Sequence, residues 1–148
     1  MCLRASPRAR SVFDVDYSLL KRQGIRALLF DLDRTLGPGK PSTLPSETTA
    51  LLQQLLDERF RIAIVSNRRW GFDDFTLDPA LRERILVRFR AGKPRPWTLK
   101  RVLNALGASR KEAVMIGDLW VTDGLAARTA GMLAILLRPW KDDGRPGA

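Results

Sequence analysis

The stretch Leu28–Leu36, LLFDLDRTL, decides how the rest of the chain is read: an apolar run stops on two carboxylates placed two residues apart. Burying an unpaired carboxylate is costly, so the run must end where Asp31 and Asp33 meet water, a metal ion or a cationic partner. RALLFD (26–31), RIAIVS (61–66), EAVMIGD (112–118) and MLAILLR (132–138) are all short, continuous and apolar. Such runs suit strands covered on both faces, as in a parallel sheet. Between them, residues 45–59 carry apolar side chains at helical spacing and begin with Ser-Glu after a proline; residues 96–106 and 121–130 read as further helices. A fifth strand is expected over Ile85–Phe89. The alternation predicts an open, doubly wound, Rossmann-like α/β sheet of about five parallel strands joined by right-handed crossovers. Sites in such sheets gather at the C-terminal ends of the strands.

The chain has 148 residues, 45% of them hydrophobic, enough for one domain with a core that needs no staples. The single cysteine, Cys2, leaves no disulfide framework and no thiolate cluster, which fits a reducing, cytoplasmic compartment. No apolar stretch reaches the roughly 18 residues of a membrane span, and a secretory h-region is missing from the beginning. The opening MCLRASPRARSVF is Arg-rich and acid-free, so residues 1–18 read as a basic, partly mobile segment or as an organelle-import (mitochondrial) segment. The domain proper is expected over 19–140, with 141–148 a flexible tail. Histidine is absent, which excludes Ser-His-Asp hydrolysis, phosphohistidine chemistry and His-based zinc sites together.

Placed on this sheet, the polar residues fall along one edge. Asp31 and Asp33 end the first strand, Ser66 and Asn67 the second, Lys93 precedes a helix, and Asp118 and Asp123 follow the IGD strand. Carboxylates from two strands form an oxygen-rich site for a hard ion such as Mg²⁺. A lysine and a hydroxyl in the same crevice would neutralise and orient a phosphoryl group. Phosphoryl transfer is the chemistry that uses all of them.

The ordered motifs DLDRT (31–35), IAIVSN (62–67), AGKP (91–94) and GDLWVTD (117–123) resemble the haloacid dehalogenase superfamily of aspartate-nucleophile phosphatases. Within it, QGIRALLFDLDRTL, VSN, GKP and IGDLWVTDG are similar to the YqeG-like, subclass IIIA branch, which includes mitochondrial phosphatidylglycerophosphatases; the similarity spans about residues 19–138. The resemblance implies that Asp31 attacks phosphorus and that Asp33 is the acid and base, with Thr35 holding the turn and Asp33's orientation. It implies Mg²⁺ on Asp31, the Asp33 carbonyl and Asp118. Ser66, with Asn67 beside it, would meet phosphoryl oxygens, Lys93 would pair with phosphate and Asp31, and Asp123 would support Lys93 or a metal-bound water. The chain departs from the branch at Arg34, where Asn or Gly is usual, and at GPGK (37–40), where the continuation is usually more hydrophobic.

Bland readings compete with each motif. FDVDYS (13–18) also spells D-x-D-x-S, but no apolar strand precedes it, and Asp16 reads as the cap of a helix beginning near Ser18. Cys2 and Arg8 fit the C-x(5)-R of cysteine phosphatases without its strand or glycine-rich cradle, and a calcium loop from Asp31 fails at Leu36, where glycine is required. Taken singly, Ser66 and Lys93 read as a strand-end hydroxyl and a solvated lysine; order and shared edge lift them.

Only 30 residues separate Thr35 from Ser66 and 26 separate Ser66 from Lys93, which leaves no room for a cap domain. An open site suits a phosphate carried on something large: a lipid at a membrane surface, a nucleic-acid end or a protein. Net charge is +10, and residues 82–101 hold eight basic residues against one acid. That field would draw the protein to an anionic bilayer, as a peripheral protein, or to nucleic acid. Trp70, Trp97 and Trp120 lie near motif ends, where they fill a rim or meet a lipid interface. A phosphatidylglycerophosphate phosphatase, a polynucleotide end phosphatase and a non-catalytic nucleic-acid or ribosome-binding module are the three readings left open.

Overall fold

The four continuous apolar runs become the four interior strands of a parallel sheet, and two strands outside those runs become its edges. The computed structural model describes residues 8–69, 74–92, 97–118, 125–141 and 145–147. Its strands are β1 (Arg8–Ala9), β2 (Ala27–Phe30), β3 (Arg61–Val65), β4 (Ile85–Arg88), β5 (Ala113–Gly117) and β6 (Leu133–Leu137), in the order β1-β6-β5-β2-β3-β4. Every neighbouring pair is parallel. The helices are α1 (Tyr17–Arg22), α2 (Ser46–Asp57), α3 (Pro79–Arg82), α4 (Trp97–Leu106) and α5 (Leu125–Ala130).

Strand alternation divides the core in two. On β2, Leu28 and Phe30 join one cluster with Tyr17 and Leu20 of α1, Leu52 and Leu55 of α2 and Leu81 of α3. Ala27 and Leu29 turn the other way, with Ala63 and Ala113, onto Leu99, Val102 and Leu103 of α4 and Ala127 and Ala130 of α5. Small side chains on the second face let α4 and α5 lie close; the bulk of the apolar volume fills the first. Because helices cover both faces, β2, β3 and β5 need apolar residues at consecutive positions, which is why they stand out as runs.

The sheet has six strands rather than about five, and the added one lies in the basic N-terminal segment. Arg8 and Ala9 pair with Leu136 and Leu137, Val12 is fully buried, and the Tyr17 hydroxyl donates to the Val12 carbonyl at 2.7 Å. Burial pushes the Tyr17 phenol above its ordinary range. Asp16 caps α1 by accepting from the Leu19 amide at 2.9 Å, the role its sequence context gave it. At the other end Trp140 is buried with its ring edge-on to Phe13, and Gly147 packs on the Arg10 backbone, where a Cβ would lie 2.3 Å from the Arg10 carbonyl oxygen. Packing therefore crosses the boundaries expected at residues 19 and 140.

The chain runs outward from β2 through β3 and β4 in one direction and through β5 and β6 in the other, so the order reverses between β2 and β5. An open α/β sheet has its crevice at such a switch point, beyond the strand C-termini. Asp31 follows β2 and Asp118 follows β5. Between Thr35 and Ser66 lie α2 and β3; among the described residues between Ser66 and Lys93 lie α3 and β4.

Candidate active site

Asp31 and Asp118 face the crevice from adjacent strands. The register pairs Phe30 with Ile116, and the Asp31 amide donates to the Ile116 carbonyl at 2.9 Å, so Asp31 stands opposite Gly117 and Asp118 one residue further on, both at the C-terminal ends of adjacent strands. Asp31 is 7% exposed and the Asp118 side chain 1%. Two carboxylates this dry need positive charge nearby, since desolvating each costs several kcal/mol unless it is matched.

Part of that charge comes from Arg34, whose Nε lies 3.3 Å from Asp118 Oδ2. Arg34 stands in the left-handed region at φ 56°, which explains why Asn or Gly suits this position: both tolerate αL better than a longer side chain. Its backbone is pinned on both sides, with the amide donating to Gly39 O at 2.8 Å and the carbonyl accepting from the Trp140 amide at 2.6 Å. The GPGK departure serves this loop. A Cβ on Gly37 would lie 3.2 Å from carbons of Pro41 and Pro45, so glycine lets the chain double back beneath them.

Asp33 turns away from this pair toward an arginine the sequence reading passed over. Arg68 Nη2 donates to Asp33 Oδ1 at 2.5 Å and to the Pro41 carbonyl at 3.0 Å. The Arg68 side chain is 4% exposed. Phe75 and Phe89 flank its guanidinium at 6.0 and 5.9 Å, the outer limit of a cation–π contact, so their main effect is to exclude water. The Arg68 amide donates to Ser66 Oγ at 3.0 Å. Arg69, one residue on, is exposed. Two arginines after VSN were visible in the sequence; which of them turns inward depends on the loop path beyond β3, where strand alternation gives no guide.

Ser66 is 1% exposed and held between strands: its amide donates to Arg88 O at 2.8 Å and its carbonyl accepts from the Ala91 amide at 2.9 Å. Because its hydroxyl accepts from Arg68, the hydroxyl proton remains to be given elsewhere. Asn67 is half-buried beside it. Thr35, expected to hold Asp33's orientation, does not touch it through the hydroxyl: Thr35 is buried and its Oγ1 has no hydrogen-bond partner among the described residues. The turn is closed instead by the Thr35 and Leu36 amides donating to Leu32 O at 3.2 and 3.0 Å, and the contact to Asp33 is Arg68's. Lys93 and Asp123 lie outside the described residues.

No three acidic side chains among the described residues gather tightly enough to cage an ion by themselves. The side chains that end β2 and β5, Asp31 and Asp118, nevertheless offer only hard oxygens, as would the Asp33 carbonyl two residues beyond Asp31. That set fits Mg²⁺, which uses one or two carboxylates and completes its octahedron with water and phosphate.

Comparison with known proteins places the chain among phosphatase-like relatives. The profile of the HAD-hydrolase-like family matches residues 90–139. Ribonucleotide monophosphatase NagD of Escherichia coli is 43% identical over 49 residues, which is 33% of this chain and 20% of NagD, so the match spans a fifth of that relative's length. Probable phosphatase YqeG of Bacillus subtilis is 24% identical over 131 residues, 88% of this chain and 74% of YqeG. Among solved structures, a hydrolase from Pseudomonas syringae superposes with a TM-score of 0.59 at 16% identity, covering 74% of this chain and 83% of that one.

Proposed function

We propose, on the premise that this chain belongs to the haloacid dehalogenase superfamily, that it is a Mg²⁺-dependent phosphomonoesterase acting through an aspartyl-phosphate on Asp31. The observation that carries the reading is the pair of dry carboxylates, Asp31 and Asp118, across the switch point, with Asp33 anchored, among the described residues, by one oxygen. Asp31, Asp118 and the Asp33 carbonyl would hold the ion, which supplies positive charge against the anionic phosphate. An Asp31 oxygen attacks phosphorus as the bond to the leaving oxygen breaks, and Asp33 gives its proton to that oxygen. Asp33 then takes a proton from water, whose oxygen attacks phosphorus, freeing Asp31 and inorganic phosphate. Ser66 would donate to a phosphoryl oxygen. Lys93 and Asp123 keep the roles the family resemblance implies, phosphate pairing and its support.

Arg34 competes with the ion for Asp118 Oδ2 in this scheme. Arg34→Asn suits the left-handed backbone and removes the guanidinium. Thermal melts are expected to show a lower Tm without Mg²⁺, a larger Mg²⁺-induced rise, and half-saturation at a several-fold lower concentration. An unchanged Mg²⁺ response would exclude the competition.

The substrate class we favour is a lipid phosphate such as phosphatidylglycerophosphate. The intervals around Ser66 hold only α2, β3, α3 and β4 among the described residues, and Trp97, at the start of α4, is 52% exposed and four residues after Lys93 in sequence. An exposed tryptophan with arginines around it suits an anionic lipid interface. No described helix is long and apolar enough to cross a membrane, so attachment would be peripheral. Phosphatidylglycerophosphate in vesicles is expected to be hydrolysed faster than a phosphorylated oligonucleotide, with salt removing much of the advantage. A clear win for the oligonucleotide would replace the lipid with a polynucleotide end and leave the aspartate mechanism in place.

A further inference from the structure

On the far side of Asp118 from Asp31, the C-terminal edge of the sheet becomes cationic. Arg138 follows β6 and Arg10 follows β1, so the edge reads Arg10, Arg138, Asp118, Asp31, Ser66 across β1, β6, β5, β2 and β3. A cavity of about 400 Å³ opens there, lined by Arg8, Ala9, Arg10, Asp118, Leu136, Leu137 and Arg138. It meets the crevice at Asp118, which belongs to both. The two arginines are fixed relative to one another by the backbone, the Arg138 amide donating to Arg10 O at 3.2 Å. Neither forms an ion pair with a described carboxylate; Asp118, the acid in the cavity wall, pairs with Arg34. Both are exposed, so their charge is presented to whatever fills the cavity.

We propose that this cavity is a subsite for a second phosphate, so that the substrates turned over best carry another phosphate, monoester or diester, one short linker from the phosphomonoester that Asp31 attacks. The inference rests on the phosphatase reading for the position of the first phosphate. Strand spacing bounds the linker: the Arg138 backbone stands about one spacing beyond Asp118 and that of Arg10 about two, so an anion held by their side chains sits on the order of 5–10 Å from the ion-binding carboxylates. A three-carbon bridge between two phosphates spans that interval. A monoanionic or uncharged leaving group leaves the arginines in water and gains nothing from them.

The soluble test compares propane-1,3-diol bisphosphate with propyl phosphate. The bisphosphate is expected to have a kcat/KM roughly 10–100-fold higher, from charge-assisted hydrogen bonds at the subsite. In the Arg10→Gln/Arg138→Gln double variant that ratio is expected to fall close to one. The lipid test compares phosphatidylglycerophosphate with phosphatidic acid in phosphatidylcholine vesicles, using the same variant. Loss of preference in the soluble pair identifies a free bisphosphate as sufficient, and loss in the lipid pair alone ties the second phosphate to a headgroup. If neither pair shows a preference that depends on Arg10 and Arg138, the subsite does not exist. Calorimetric binding of the bisphosphate to the Asp31→Asn protein in Mg²⁺ separates this failure from failure of the phosphatase reading. There the arginine substitutions are expected to weaken binding about tenfold whether or not any phosphate is released, and equal affinity with and without the arginines overturns the subsite.

Discussion

Asp31→Asn is expected to lower turnover of an aryl phosphate by roughly 10⁴–10⁶-fold, the scale on which removing a nucleophile acts. No phosphorylated protein should be recovered on rapid quench, because the amide neither carries the charge nor presents the attacking lone pair. The fold should survive: Asp31 is tied to the sheet through its amide, which the substitution keeps, and an amide side chain is easier to bury than a carboxylate. A thermal melt on the same sample therefore separates lost chemistry from lost structure. Asp14→Asn is the internal control. Asp14 belongs to the other D-x-D, and its carboxylate accepts from Ser11 Oγ at 2.9 Å, far in the chain from any apolar strand end. If Asp14→Asn abolishes activity and Asp31→Asn spares it, the nucleophile has been assigned to the wrong motif.

The interior strands were legible because their physics is local. A strand covered on both faces must be apolar at every position, and β2, β3, β5 and β6 fall within one residue or so of the runs that announced them. β1 was not legible, since two residues, one of them arginine, become a strand only by pairing with Leu136 and Leu137 at the other end of the chain. The same division runs through the site. Asp31, Ser66 and Asp118 sit at strand ends, where sequence position fixes spatial position. Arg34 and Arg68 sit in loops, and their contacts with Asp118 and Asp33 depend on a left-handed residue and on a turn after VSN. Arg34 was visible as a departure from the family pattern but not as an ion-pair partner, because nothing in the sequence says that a side chain at φ 56° reaches across to β5. Thr35 shows the converse error. Its place in D-x-D-x-T suggested that it holds the turn and Asp33's orientation; its amide does close the turn, while a buried guanidinium 35 residues away meets the Asp33 carboxylate.

Asp33 and Arg68 are expected to behave as one unit. Asp33→Asn removes the acid and the base together and should slow both half-reactions by about 10²–10⁴-fold. Arg68→Met keeps most of the apolar volume between Phe75 and Phe89 but releases Asp33 Oδ1, so the carboxylate loses its fixed direction; misplacement of this kind costs about 10²-fold. The loss should fall on kcat rather than KM, since Arg68 meets Asp33 and Pro41 and acts on the reaction through them. Arg68→Lys should recover little, because the shorter lysine stem stops short of the place Nη2 occupies and a strongly hydrated ammonium does not lie flat between two rings. The double variant decides the matter. If Arg68 works by aiming Asp33, Asp33→Asn/Arg68→Met should be no slower than Asp33→Asn alone, within roughly threefold, because coupled residues do not add. If Arg68 merely supports the loop, the two losses should multiply, with denaturant melts showing the same destabilisation in either background. Multiplied losses would leave Asp33 as acid and base but end the case for Arg68 as its positioning residue.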